Sequence, residues 1–498
     1  MDYISTRNKN LSTSCVSAIV NGISKDGGLF VPSSFPMISN GEIEKLIELD
    51  YPERAAYILE KFLTPDFSYE ELLSYTQEAY SRFDGDPCPV VKLDDQTFVM
   101  ELWHGPTSAF KDMALTVLPH LLAASRKKLG ETGRTLILVA TSGDTGKAAL
   151  EGFKDVEGTD VIVFYPSDGV SPMQKMQMMT QEGDNVYVCG IKGNFDDAQN
   201  AVKRIFADNE IALKLKELGY KLSSANSINW GRLAPQIAYY ISSYCDLVSA
   251  EEIENGDKVN FVVPSGNFGN ILAGYYAMRM GLPINRLICA SNMNNVLTDF
   301  FNTGSYDIKR EFYKTMSPSM DILISSNLER LLFELSGRDD KFVENKMTEL
   351  KEKGFYTIDK KEIESVLPMF YAGSADEEYT KDTISYYFDD EDESYLFDPH
   401  TAVAMSVYDD YYDETDDTTP TVIVSTASPY KFPVDVYSAV SGKSIDDAYK
   451  ATDMLEEISA QPIPEPLRNL KNRKTRFDKV IDKNDIESEV ISYAMKRN

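Results

Sequence analysis

Between Thr135 and Phe206 the chain repeats one unit: a short apolar run, a polar turn, then a helical stretch. The apolar runs at 136–140, 161–165 and 186–191 start 25 residues apart. Connections that long do not make hairpins. They make crossovers, so the runs predict parallel strands with helices packed over them. Helical patterns at 147–153 and 196–206 fill the gaps, and Ser171-Pro172 suits an N-cap followed by proline at the first helical position. The rhythm returns at 259–263, 287–290 and 421–424. The predicted fold class is α/β, with two parallel-sheet lobes and a cleft between them. Ligands of such sheets bind beyond the carboxyl ends of the strands.

With 498 residues the chain is too long for one core. Residues 1–95 lack the rhythm; helical patterns at 42–49 and 69–83 surround the turn-rich 25–32, and Gly85-Asp-Pro-Cys-Pro89 marks a boundary. The expected division is a mainly helical N-terminal domain at 1–95, a first α/β lobe at 96–245 and a second at 246–498, with an acidic insertion near 340–420. The acidic stretches at 389–393 and 409–417 are expected to be solvated surface.

Charge narrows the function. Lys and Arg total 50 against 79 Asp and Glu, a formal charge of -29. Such a surface repels phosphodiester backbones and anionic lipid, so neither nucleic acid nor membrane is an expected partner. A small anionic ligand remains possible wherever the site is locally positive. The five cysteines are isolated, which argues against a disulfide framework or structural zinc and for a reducing compartment. His104, His120 and His400 are the only histidines and stand in no HExxH or GxSxG context, so no metal site is expected. The start MDYISTRNKN has no basic-then-apolar pattern and no long apolar run follows, so a cytoplasmic location is expected.

Several polar segments carry the chemistry. Trp103-His-Gly-Pro-Thr-Ser-Ala-Phe-Lys-Asp112 sets a rigid turn and two hydroxyls before Lys111 and an apolar helix over 113–122. A lysine just inside a helix start faces the positive end of the dipole, and burial adds to the same effect; both favour a neutral amine. Schiff-base chemistry requires a neutral amine. The plainer alternative is a surface lysine at a helix start. Pro264-Ser-Gly-Asn-Phe-Gly-Asn270 lies between a strand and a helix, where backbone N–H groups and the helix terminus suit a phosphate. It has no lysine, so it is not a P-loop; a sharp turn that needs glycine is the alternative. Thr141-Ser-Gly-Asp-Thr-Gly-Lys147 has too few residues between its glycines for a triphosphate loop and suits the carboxylate or phosphate of a small substrate. Asn226-Ser-Ile-Asn-Trp-Gly-Arg232 ends in a guanidinium able to grip an anion, or else is a capped helix start. Ser425-Thr-Ala-Ser-Pro-Tyr-Lys431 is a further polar turn at a strand end.

HGPTSAFKD, ATSGDTG, NSINWGR and PSGNFGN, in this order, resemble the threonine synthase family within the fold-type II pyridoxal-phosphate enzymes. The likeness runs from Tyr3-Ile-Ser-Thr-Arg7 to Ser425-Thr-Ala-Ser-Pro and is to the longer form with an N-terminal domain. It implies pyridoxal 5'-phosphate as cofactor, with Lys111 as the catalytic Schiff-base lysine. Phe110 would lie beside the cofactor, Gly266, Asn267, Phe268, Gly269 and Asn270 would cup its phosphate, and Thr426 would meet its ring nitrogen. Thr141, Ser142, Gly143, Asp144 and Thr145 would receive the substrate carboxylate, and Ser227, Asn229 and Arg232 would help hold the substrate phosphate. The implied reaction converts O-phospho-L-homoserine and water to L-threonine and phosphate. The alternatives are another lyase of the same fold acting on an amino-acid phosphate, or a catalytically silent relative. A monomer or weak homodimer is expected. Ser428 departs from the family, which often has histidine there.

Overall fold

The computed structural model describes residues 1–141, 143–389 and 394–497. Two sheets carry the site. One has five strands in the order Val480–Asp482, Val186–Lys192, Thr159–Pro166, Arg134–Ala140 and Tyr220–Ser223, all parallel. The other has six: Phe370–Ser374, Ile284–Ser291, Val259–Pro264, Thr421–Ser425, Thr97–Glu101 and Val90–Lys92, with only the last antiparallel to its neighbour. The central strands are buried along nearly their whole length, as parallel strands covered by helices on both faces must be.

The rhythmic strands and their helices fall where their patterns put them. Ser171 caps Pro172–Met179 in a capping box with Gln174, and the helix predicted at 196–206 runs Phe195–Ala207. The apolar stretch after Lys111 is instead two helices, Asp112–Leu115 and Leu118–Lys128, the second starting just before Pro119. Proline donates no N–H to a preceding turn, so it sits at a helix start and not within one continuous helix.

The lobes are not contiguous in sequence. Thr97–Glu101, expected in the first lobe, pairs with Thr421–Ser425 in the six-stranded sheet. Val480–Asp482 and the helix Ile486–Arg497, expected in the second, join the five-stranded one. Nor is 340–420 an insertion. Phe370–Ser374 is an edge strand of the six-stranded sheet, and the helix Pro399–Thr415 buries most of its length against that sheet. Its acidic tail hid an apolar first half. Of the acidic stretch 389–393, residues 390–393 lie outside the described residues.

The first 80 residues form a three-stranded sheet and four helices packed on the helix Trp230–Ser249. Trp230 is fully buried among the rings of Tyr3, Phe62 and Tyr276. Two guanidiniums pin this region to the rest. Arg7 makes a bidentate pair with Glu329, at 2.9 and 2.6 Å. Arg330, wholly buried, donates to Phe30 O, Ile228 O and Asn327 Oδ1.

Asp160, fully buried on Thr159–Pro166, accepts from Arg134 and from Tyr493 and Arg497 of the last helix. Losing it takes the shared acceptor from two partly exposed guanidiniums and a tyrosine hydroxyl. Asp160→Ala is expected to cost about 2 kcal/mol and to expose the last helix first, read as a lower denaturation midpoint with early proteolytic loss of residues 486–497.

Candidate active site

Lys111 is placed by a turn stitched to a strand end more than 300 residues away. Phe110 N donates to Thr426 O at 2.8 Å, Ser428 N to Ser108 O at 3.1 Å, and Ala109 bridges Ala427. The Asp112 carboxylate closes the turn from inside, accepting from Thr107 N at 2.8 Å and Thr107 Oγ1 at 2.7 Å. Burial pushes Asp112 up to about 6. Lys111 occupies the N-cap position of Asp112–Leu115, one step before the helix. Its Nζ lies 3.2 Å from Ser319 Oγ, 3.3 Å from Asp144 Oδ2 and 4.9 Å from the Phe110 ring centre. Burial lowers its pKa; Asp144 opposes this, while Lys431 and Arg232 reinforce it.

The loop after Val259–Pro264 is shaped for an oxyanion. Its carbonyls are tied away: Gly266 O accepts from Ser325 Oγ at 2.6 Å, and Asn267 O from Asn327 N and Nδ2. Phe268 turns through a left-handed conformation, and Gly269 and Asn270 open the helix Gly269–Met280, where first-turn amides have no intrahelical partner. A Cβ on Gly266 would stand 2.8 Å from Ser319 O, so the backbones approach too closely for any side chain. Asn270 Oδ1 accepts from Tyr239 and Tyr240, and its buried Nδ2 has no partner among the described residues. An orphaned donor beside free amides is an arrangement that an anion completes.

The loop after Arg134–Ala140 differs from its sequence reading. Thr141 Oγ1 accepts from Gly143 N and Gly146 N, both at 2.9 Å, so this hydroxyl organises the loop. Ser142 lies outside the described residues. Gly143 has φ +144, and a Cβ there would stand 2.4 Å from the Gln174 side chain. The Asp144 side chain is already committed. Its own carboxylate is engaged by Lys431 at 2.7 Å, Gln174 at 2.8 Å and Lys111. Burial opposes its ionisation, yet the two lysines hold it well below the usual carboxylate range. Thr145 follows in the first helical turn, half-buried.

Arg232 is buried and donates to Ala225 O at 2.7 Å; among the described residues it has no carboxylate partner. Burial lowers it to about 10. A buried guanidinium without a counter-charge is an open seat for an anion. Ser227 lies against the oxyanion loop, 3.6 Å from where a Cβ on Gly269 would be. Asn229 is otherwise occupied: it caps Trp230–Ser249 through Gly231 N and donates to Ile19 O and Ser224 O. It shapes the turn that presents Arg232.

Sequence reasoning missed Lys431, Gln174, Ser319 and the Asp398–His400 pair. Lys431 closed a segment read only as a polar turn; no local pattern flagged the others. His400 Nδ1 lies 2.8 Å from Asp398, and its Nε2 accepts from Ser319 N, which places the ring proton on Nδ1. Ser428, where the family often has histidine, caps the turn Pro429–Lys431 through Tyr430 N.

The family pattern described as "Threonine synthase N terminus" matches residues 2–80, "Pyridoxal-phosphate dependent enzyme" matches 86–362, and "Threonine synthase, C-terminal" matches 401–490. "Threonine synthase-like 1" of Homo sapiens is 41% identical over 443 residues, covering 86% of this chain and 58% of that protein. The chain therefore spans less than two thirds of that relative's length. A threonine synthase of Pseudomonas aeruginosa is 38% identical, with 89% of this chain and 91% of the relative covered. The crystal structure of a pyridoxal-phosphate-bound threonine synthase from Brucella melitensis superposes with a TM-score of 0.87 at 37% identity, covering 100% of this chain and 99% of that one.

Inorganic phosphate is expected to raise the thermal midpoint of the chain. Arg232→Met removes an uncompensated buried charge, so the ligand-free midpoint should hold or rise while much of the phosphate-induced shift disappears. Differential scanning fluorimetry across a phosphate titration measures both.

Proposed function

This chain belongs to the threonine synthase family of pyridoxal-phosphate-dependent enzymes, and from that membership we propose that it converts O-phospho-L-homoserine and water to L-threonine and phosphate. One observation carries the reading: a buried amine whose pKa is lowered stands near two separate anion seats, the 266–270 loop through Ser319, and Arg232, which has no carboxylate partner among the described residues. A phosphorylated cofactor and a phosphorylated substrate together require two.

The residues present fit pyridoxal phosphate. Lys111 supplies the amine that attaches it, Gly266, Asn267, Phe268, Gly269 and Asn270 would hold its phosphate, Thr426 would meet its ring nitrogen, and Phe110 would lie beside it. When bound, the cofactor supplies a sink for the electrons left at the substrate Cα. The chain's own groups do the rest. Lys111, its charged form disfavoured by burial, takes the proton from Cα and redistributes protons along the carbon chain as Cβ is deprotonated. Arg232 and Ser227 hold the phosphate that leaves from Cγ. Thr141, Gly143 and Thr145 line the loop for the substrate carboxylate, its positive surroundings supplied by the lysines that flank Asp144. Thr426 offers a hydroxyl and not a carboxylate, which leaves the ring nitrogen without a strong proton partner and places more of the burden on substrate positioning. The two lobes exclude stray water while one water adds at Cβ. Five buried free cysteines and a strongly acidic composition support a reducing, cytoplasmic setting and a small-molecule substrate.

Incubation with O-phosphohomoserine, following phosphate and identifying the amino acid, tests the proposal. Phosphate with threonine supports it; phosphate with a keto acid makes the chain a different lyase, and no phosphate makes it a binding protein. Lys111→Ala is expected to abolish turnover and the borohydride-reducible cofactor adduct while the fold survives. Arg232→Ala should raise KM for the phosphorylated substrate far more than it weakens cofactor binding; equal effects on both would put Arg232 elsewhere.

A further inference from the structure

Lys431 moves no proton in the steps above, yet it is wholly buried and shares a carboxylate with Lys111. Its Nζ lies 2.7 Å from Asp144 Oδ1 and donates to Thr107 O at 2.8 Å. The other oxygen of Asp144 faces Lys111 at 3.3 Å. One carboxylate thus stands between two ammonium groups. Gln174 Nε2 adds a donor on the Lys431 side at 2.8 Å, and Ser319 Oγ one on the Lys111 side at 3.2 Å. Arg232 is a third cation, Asp112 and His400 also act on the pair, and Asp398 stands behind His400 at 2.8 Å.

The contacts decide which lysine can give up its proton. Lys431 serves two pure acceptors, a carboxylate and a carbonyl. A neutral amine there would weaken both bonds, and Lys431 is shut off from bulk solvent. Lys111 meets the carboxylate at longer range, and its other partner is a hydroxyl. With its proton on Asp144, that hydroxyl accepts an N–H from the amine in either protonation state. The Asp144 carboxylate keeps a full partner in Lys431 when Lys111 is neutral, and two cations crowd it when Lys111 is charged.

We propose that Lys431 is a positioning residue that claims Asp144 as its own counterion and so keeps the Lys111 amine in the free-base form. The inference rests on Lys111 being the reactive amine of the function proposed above. The direction of the Lys111 titration agrees: burial lowers it most, and Lys431 and Arg232 act against Asp144.

Competitive labelling reads this without turnover. The full chain, freed of bound carbonyl compounds with hydroxylamine, is treated with trace acetic anhydride over a pH series, and the Lys111 peptide is quantified by mass spectrometry. Lys431→Met should raise the Lys111 midpoint by about one unit, a tenfold loss of free amine at a given pH. Lys431→Arg should leave it near the parent value. Asp144→Asn should move it the opposite way, downward, because both lysines then face each other without a carboxylate. Opposite shifts are the signature, since general loosening of the site would move both variants alike. An unmoved midpoint in Lys431→Met, or shifts of the same sign in Lys431→Met and Asp144→Asn, overturns the proposal. If Lys431→Met does not fold, Asp144→Asn decides alone: a raised or unchanged midpoint overturns it. Absence of a reducible adduct on Lys111 in the parent chain would instead sink the function reading, and it leaves these midpoints measurable.

Discussion

The carboxylate of Asp144 is where the two sheets meet chemically. It follows the strand Arg134–Ala140 of the five-stranded sheet, and both lysines that engage it follow strands of the six-stranded sheet, Thr97–Glu101 and Thr421–Ser425. Burying a carboxylate carries a desolvation penalty of several kcal/mol, and cationic partners must offset it. The offset exists only when the strand ends come together in one register. The two sheets share one apolar core, and this buried group adds a directional constraint to packing that has none of its own. A slip of one lobe along the other would strand a carboxylate and two ammoniums together.

The N-terminal region serves the same geometry from behind. Arg330 reaches the strand Phe30–Pro32, the turn that carries Ser227 and Arg232, and, through Asn327, the carbonyl of Asn267 in the oxyanion loop. One guanidinium with fixed fork geometry thus indexes both anion seats against a common frame. Asn229 does likewise from the other side by donating to Ile19 O. The seats are a fixed distance apart because both are fastened to a third body that takes no part in the chemistry.

The legible part of this fold is the part written locally. Strands such as 159–166 and 186–192 announce themselves by a run of apolar residues between a turn and a helix. Thr97–Glu101 has the same burial but no crossover helix beside it, and its neighbour Thr421–Ser425 is over 300 residues away, so nothing nearby says which sheet it joins. Val480–Asp482 is three residues long and ends in an acid. The site divides along the same line. Lys111, the 266–270 loop and Arg232 sit in or just after turns whose glycines and hydroxyls stand out in the sequence. Ser319 and His400 come from a short 3-10 helix and an α-helix with no such signal. The role of the Asp144 side chain is hidden for a related reason: the two cations that engage it lie elsewhere in the sequence.

The acidity of the chain now takes a definite meaning. With a formal charge of -29 the surface repels anions at long range, yet Lys111, Lys431 and Arg232 are buried near one another and, among the described residues, the carboxylate paired to any of them is that of Asp144. Salt screens the surface field within about 10 Å, whereas charges walled in by the two sheets act through a medium of low polarisability and are screened far less. A phosphorylated ligand therefore meets mild repulsion outside and steep attraction once desolvated within. The same excess of cations that draws the anion also makes one of them easy to deprotonate, and the lysine with the longer bond to Asp144 is the one that yields. Anion capture and the free amine are thus two consequences of a single charge imbalance.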